Sequence, residues 1–187
     1  NMISSYGSII NQDNVLEKNG SSFKITENNP NSCNKLLEIV ASNGFGFTLD
    51  IPSVVNWAFL KTDCPAGIKK VCDGIIVCTK GQETYFILID LKSKKSKDAN
   101  KQILSSRFLC EWLNNLINLH LKIPDRINFI GLICLAGRNA PSKGTTIHDF
   151  KCCNTYTPSG YSDMRIFTFH NQGKISVTSI IKKFEGS

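Results

Sequence analysis

The sequence predicts an α/β fold, a mixed central β-sheet flanked by helices. Three observations carry this. Two apolar β-prone runs, Lys70–Cys78 and Thr84–Leu91, are separated by a short turn-forming segment. A long segment with helical apolar spacing follows, Ala99–Leu119. A further unbroken apolar run, Asn128–Ala136, comes after that helix, as a parallel crossover requires. The chain has 187 residues, 41% of them hydrophobic and 20% charged, which excludes wholesale disorder, collagen and coiled coil. A chain of this length buries enough surface to fold without disulfides or a structural metal.

Taken in order, residues 1–32 are rich in Asn, Ser and Gly and read as an N-terminal arm, with short elements near Ser8–Leu16 and Phe23–Thr26. Pro30, Asn31 and Ser32 resemble a helix start. Cys33–Ser42, carrying Leu36, Leu37, Ile39 and Val40, reads as the first core helix, with Gly44 as its C′ residue. Phe45–Leu49 is short and β-prone, Val54–Leu60 is helix or strand, and Pro65-Ala66-Gly67 is a loop. In the following hairpin, residues 79–83 form the loop and Gly81 supplies the turn. Asp98 is placed to cap the long helix, which sets Ile103, Leu104, Phe108, Leu109, Trp112 and Leu113 at helical spacing. Pro124 closes the connection to the Asn128–Ala136 strand. Residues 137–160 are loop-like, Met164–His170 is a strand and Ser176–Phe184 a helix or strand. Trp57 and Trp112 read as core.

The formal charge is +7, which fits a polyanionic partner such as nucleic acid as well as plain solubility. The eight cysteines contain no C-x-x-C, and Cys72, Cys78 and Cys134 lie in or beside apolar runs, so reduced, buried thiols and a cytoplasmic setting are expected. Cys152-Cys153 with His148 matches no standard zinc spacing. No signal peptide and no membrane-spanning run is evident.

The chemistry lies where two apolar strands carry charge: Asp73 in Lys70–Val77, and Asp90-Leu91-Lys92 closing the next strand. A carboxylate buried alone costs several kcal/mol, so each needs a partner or an ion. Hairpin pairing can set Asp73 beside Asp90, and two like charges at that distance call for a cation between them. Asp90 and Lys92, two apart, share one strand face with Phe86 and Leu88. Two carboxylates and a lysine together suit a hard divalent cation and a phosphodiester. The bland alternative is a pair of solvated strand ends in an unrelated α/β domain.

Asp73, a hairpin, then Asp90-Leu91-Lys92 and a capped helix resemble the PD-(D/E)xK nuclease superfamily, which covers restriction endonucleases, Holliday-junction resolvases and antiviral effector nucleases. The resemblance spans residues 33–136 and implies a restriction-endonuclease-like core, αβββαβ. It implies that Asp73 and Asp90 bind Mg²⁺ or Mn²⁺, that Lys92 contacts the attacking water or scissile phosphate, and that Glu38 on the first helix completes the site. Gln102 is a further site residue by position. Cys72 stands where the family has Pro, the motif is D-x-K rather than E-x-K, and Ser106 stands where one branch has Tyr. Asp50, Asp63 and Asp149 are spare carboxylates that could replace Glu38.

The run Lys92, Lys94, Lys95, Lys97, Lys101 and Arg107 is a phosphate-binding footprint, or else a solvated face, and Arg138, Lys143 and Arg165 add positive charge further on. The expected function is a metal-dependent DNA endonuclease in restriction, phage defence or DNA repair. The resemblance makes it a homodimer, with any sensor on a partner chain. A catalytically inactive nucleic-acid-binding or protein-interaction module of the same fold is the alternative, and an RNA-cleaving enzyme a third reading.

Overall fold

The structure, a computed structural model, describes residues 2–51, 59–94, 98–121, 126–137 and 147–187. The α/β expectation is met. Along the chain come α1 (Met2–Ile9), β1 (Lys18–Asn19), β2 (Ser22–Thr26), β3 (Leu36–Val40), β4 (Gly44–Phe47), β5 (Gly74–Lys80), β6 (Glu83–Lys92), α2 (Ala99–Leu121), β7 (Arg126–Leu135), β8 (Asn154–Tyr156), β9 (Met164–His170), β10 (Lys174–Ser176) and α3 (Val177–Glu185). They form a six-stranded sheet in the order β4-β5-β6-β7-β9-β8 and a four-stranded sheet in the order β1-β2-β3-β10.

β4, β5 and β6 form an antiparallel meander, α2 crosses over, and β7 and then β9 add in parallel. The β5–β6 connection is tighter than expected: Lys80 pairs with Glu83, only Gly81 and Gln82 turn between them, and Gly81 takes a φ of 62°.

β6 is buried on both faces, and its alternation sorts the molecule into layers. Ile87, Ile89 and Leu91 face the smaller sheet and α3, where they meet Phe23, Ile25, Leu37, Ile39, Ile180 and Ile181. Phe86 and Leu88 face α2, with Ile103, Phe129 and Tyr6. Each such side chain contributes about 1.5–3 kcal/mol on burial.

Several expectations change. Cys33–Ser42 is not a helix; its centre is β3. Leu37 and Ile39 alternate onto one buried face, and pairing with β2 and β10 supplies the backbone hydrogen bonds a helix would make internally. Gly44 is therefore no helix cap but the first residue of β4. Within the stretch expected as an N-terminal arm, Tyr6 and Ile25 are fully buried and Phe23 nearly so. Trp112 is 58% exposed rather than core. Residues 52–58, with Trp57, lie outside the described residues, as do Pro124 and, from the loop-like stretch 137–160, residues 138–146 with Arg138 and Lys143. No helix among the described residues is long and apolar enough to cross a membrane.

Candidate functional site

The β5–β6 register pairs Gly74 with Ile89, so one further step sets Asp73 opposite Asp90. β5 stops there, and the Asp73 side chain takes its place: its Oδ2 accepts the Leu91 N–H, which lies beyond the end of the strand. Asp90 and Lys92 share the α2 face of β6, and the Lys92 ammonium donates to Asp90 Oδ1 at 2.8 Å. From the first turn of α2, Gln102 Oε1 accepts from the same ammonium at 2.7 Å. The chain before Asp73 is tied to that helix, since Cys72 N donates to Ser106 Oγ (2.9 Å) and Ser106 Oγ donates to the Gln102 carbonyl (3.0 Å).

Asp73 is 7% and Asp90 0% exposed. Asp90 Oδ2 is buried and has no hydrogen-bond partner. Desolvation raises the Asp73 carboxyl well above the ordinary range, the charge of Asp90 raises it further, and the Leu91 N–H and Lys92 only partly offset this. Desolvation raises Asp90 too, against the pull of Lys92. The two titrate as a pair that retains a proton near neutrality. Burial alone would lower the Lys92 pKa, but Asp90 and then Asp73 outweigh it, so the ammonium stays charged. Glu27 raises both carboxyls through its charge, and Asp50 raises Asp90. Asp50 is itself raised by desolvation and Glu27 and lowered by Lys92.

This site is short of positive charge, and it holds a buried carboxylate oxygen with no donor. A hard divalent cation fits that chemistry. Among the described residues no group of three or more His, Cys, Asp or Glu side chains is gathered around a metal position. Protein ligation would rest on Asp73 and Asp90, in keeping with the habit of Mg²⁺ of taking one or two carboxylates and completing its shell with water and substrate phosphate.

Of the residues picked out by sequence, Asp73, Asp90, Lys92 and Gln102 come together. Glu38 does not. It stands on the outer face of β3, where its carboxylate meets Lys174 Nζ at 3.3 Å. Lys94 and Lys101 are exposed, the latter 3.5 Å from Asp98, whereas Lys95 and Lys97 lie outside the described residues. Arg107 is no phosphate contact: it is 5% exposed, bonded to Asp163 and Glu111, with Phe129 and Tyr161 rings beside its guanidinium. The Cys152–Cys153 pair gathers no metal group among the described residues, the Cys153 thiol donates to the Thr168 carbonyl at 3.1 Å, and all eight cysteines are free.

Glu27 was not singled out. It sits in a polar loop with no local sign of function, its carboxylate accepts the Asn29 N–H at 2.8 Å, and its charge is felt at the site because that loop docks on the end of β6. Ser93 Oγ accepts from Cys33 N at 2.7 Å and lies 3.0 Å from Ser32 Oγ. Asp50, a spare carboxylate by sequence, follows β4 at the same end of the sheet.

Comparison with protein-family models, with curated proteins and with solved structures gives no match.

Proposed function

We propose that the chain is a metal-dependent endonuclease that hydrolyses phosphodiester bonds of DNA, of the PD-(D/E)xK kind with its restriction-endonuclease-like core. The observation that carries this reading is the buried Asp73–Asp90 pair, with Asp90 Oδ2 unpartnered and Lys92 on the same face. The strand–strand–strand–helix–strand run from β4 to β7 supports it as well.

In this reading Asp73 and Asp90 would hold Mg²⁺ or Mn²⁺, which when bound supplies Lewis acidity toward a phosphoryl oxygen and lowers the pKa of water. The protein's own groups do the positioning. Asp90 Oδ1 and Gln102 Oε1 engage two of the three Lys92 donors, which leaves a third for the attacking water or a non-bridging phosphate oxygen. The fixed ammonium neutralises charge that grows in the transition state, with little reorganisation. The Leu91 N–H holds the Asp73 carboxylate in its orientation. Exposed Lys94 and Lys101 would contact the backbone on either side and make binding salt-dependent.

Supercoiled plasmid and labelled oligonucleotides incubated with Mg²⁺ or Mn²⁺ test this. Wild-type protein should nick or linearise DNA, and Asp90→Ala and Lys92→Ala should lose at least a hundredfold in rate. Equal cleavage by all three, or by none, removes the assignment.

That no group of three or more His, Cys, Asp or Glu ligands is gathered among the described residues favours a second reading, a nucleic-acid-binding or protein-interaction module whose site has decayed. Such a module would bind DNA equally well in EDTA and show no Asp73-dependent metal affinity. Restriction, phage defence or DNA repair, a homodimeric state, a sensing partner chain and a cytoplasmic location complete the proposal, all from the resemblance and the composition.

A further inference from the structure

Beside the acidic pair, at the end of the smaller sheet, lies a cavity of about 290 Å³. Thr26, Asn28, Thr48 and Asp50 give it polar walls, and Val15 and Ile51 apolar ones. None of these residues belongs to the proposed hydrolytic set. The β4–β5 register sets Phe47 opposite Ile75, so the chain leaving β4 toward Asp50 and the chain entering β5 from Asp73 lie at the same end of that strand pair. Asn28 Nδ2 donates to the Asp50 carbonyl at 3.3 Å, and Asp50 N donates to Thr48 Oγ1 at 3.1 Å, so the lining residues brace one another. The charge of Lys92 also lowers the Asp50 carboxyl. The cavity and the buried acidic pair thus lie at the same end of the molecule, on its two layers.

The chemistry of the walls selects the occupant. Glu17 and Asp50 are acidic, and the single lysine, Lys24, is held by Glu17 at 2.6 Å, so the cavity repels phosphate. It offers acceptors, hydroxyls and an apolar wall, which suit a flat neutral group with N–H donors along one edge. On a nucleic-acid strand that group is a base. Guanine is the base with two adjacent Watson–Crick donors, N1–H and N2–H, for one carboxylate, and that edge is free only when the base is unpaired. A cavity of this size lies at the small end of ligand sites, room for one base rather than a stack.

Building on the hydrolytic reading above, we infer that the Thr26–Asn28–Asp50 cavity receives an unpaired guanine flanking the scissile phosphate, which makes the substrate single-stranded or locally unpaired DNA. Asp50 is then a specificity-determining residue.

The test uses the full chain in two arms. In EDTA, the amide resonances of Thr26, Asn28 and Asp50 are followed by ¹H–¹⁵N NMR while deoxyguanosine, deoxyadenosine, deoxycytidine or thymidine is added. Deoxyguanosine should shift them at about tenfold lower concentration than the others, a bidentate base contact being worth that much or more. Thr26→Trp, which fills the cavity, should abolish the shifts, and Asp50→Asn should equalise the four nucleosides. With Mg²⁺, single-stranded oligonucleotides with each base beside the cleaved bond should show the same ranking. Equal shifts for all four nucleosides, or shifts unchanged in both variants, overturn the inference. Guanine binding without cleavage sinks the nuclease and leaves the cavity's role standing; cleavage without base preference does the reverse.

Discussion

Replacing Asp73 by Asn gives the sharpest test of the acidic pair, because it separates charge from shape. Asn keeps a side-chain oxygen that accepts the Leu91 N–H and removes a carboxyl that must otherwise ionise beside Asp90. In the native protein Asp73 is pushed up to about 8, first by desolvation and then by Asp90. An unfolded Asp titrates near 4. Between those values the folded state binds more protons than the unfolded state, so unfolding free energy falls as pH rises. The penalty is absent below about pH 4 and complete above about pH 8. At about 1.4 kcal/mol for each unit, ionising Asp73 beside Asp90 costs the metal-free fold on the order of 5 kcal/mol, an upper limit for that group because water and relaxation share the burden. Urea unfolding from pH 5 to 9 in EDTA is the assay. The wild type should lose several kcal/mol across that span, whereas Asp73→Asn should lose much less and be the more stable protein at pH 8. Millimolar Mg²⁺ should then restore the wild type at pH 8 by about 2–3 kcal/mol if it is present at about a hundred times its Kd, and should do little for the variant. Parallel pH slopes in the two proteins, or equal stabilisation of both by Mg²⁺, would refute the coupled, cation-seeking pair.

Other perturbations probe the surroundings. Lys92→Ala strips Asp90 of its ion pair and should destabilise the metal-free protein at pH 7 by about 3 kcal/mol, the low end for breaking a buried pair, read by urea unfolding. Arg107→Lys should cost about 2–3 kcal/mol, since lysine cannot reproduce the bidentate bond to Asp163, and should leave the salt dependence of DNA binding unchanged. Gly46→Ala should lower the melting temperature by several degrees, because the new Cβ would lie 2.6 Å from the Phe23 ring; an unchanged melting temperature would mean that ring gives way freely.

Much of the fold was legible because its central elements repeat their signals. β6 and β7 are long apolar runs, the Gly81 hairpin has turn chemistry, and α2 carries its apolar residues at helical spacing over many turns. Leu36-Leu37-Glu38-Ile39-Val40 was not legible, since five mostly apolar residues fit a buried helix face or a strand equally well. That ambiguity carried Glu38 into the expected site, and β3 pairing takes it out to Lys174. Trp112 was misplaced for a related reason: it continues the helical series of α2, yet the sheet beneath covers only one side of that helix.

Two-residue spacing on β6 and the antiparallel hairpin decided, from sequence alone, that Asp73, Asp90 and Lys92 would meet, since strand pleat and register are local rules that hold wherever the strand packs. Which other charges would surround them was decided by tertiary structure. Glu27 and Asp50 arrive through loops held at the sheet end by Ser93 and Asn28, contacts between segments far apart in the chain. The depth of burial, which makes the pair hold its proton and leaves Asp90 Oδ2 without a donor, likewise exists only once α2 and the smaller sheet have closed over β6.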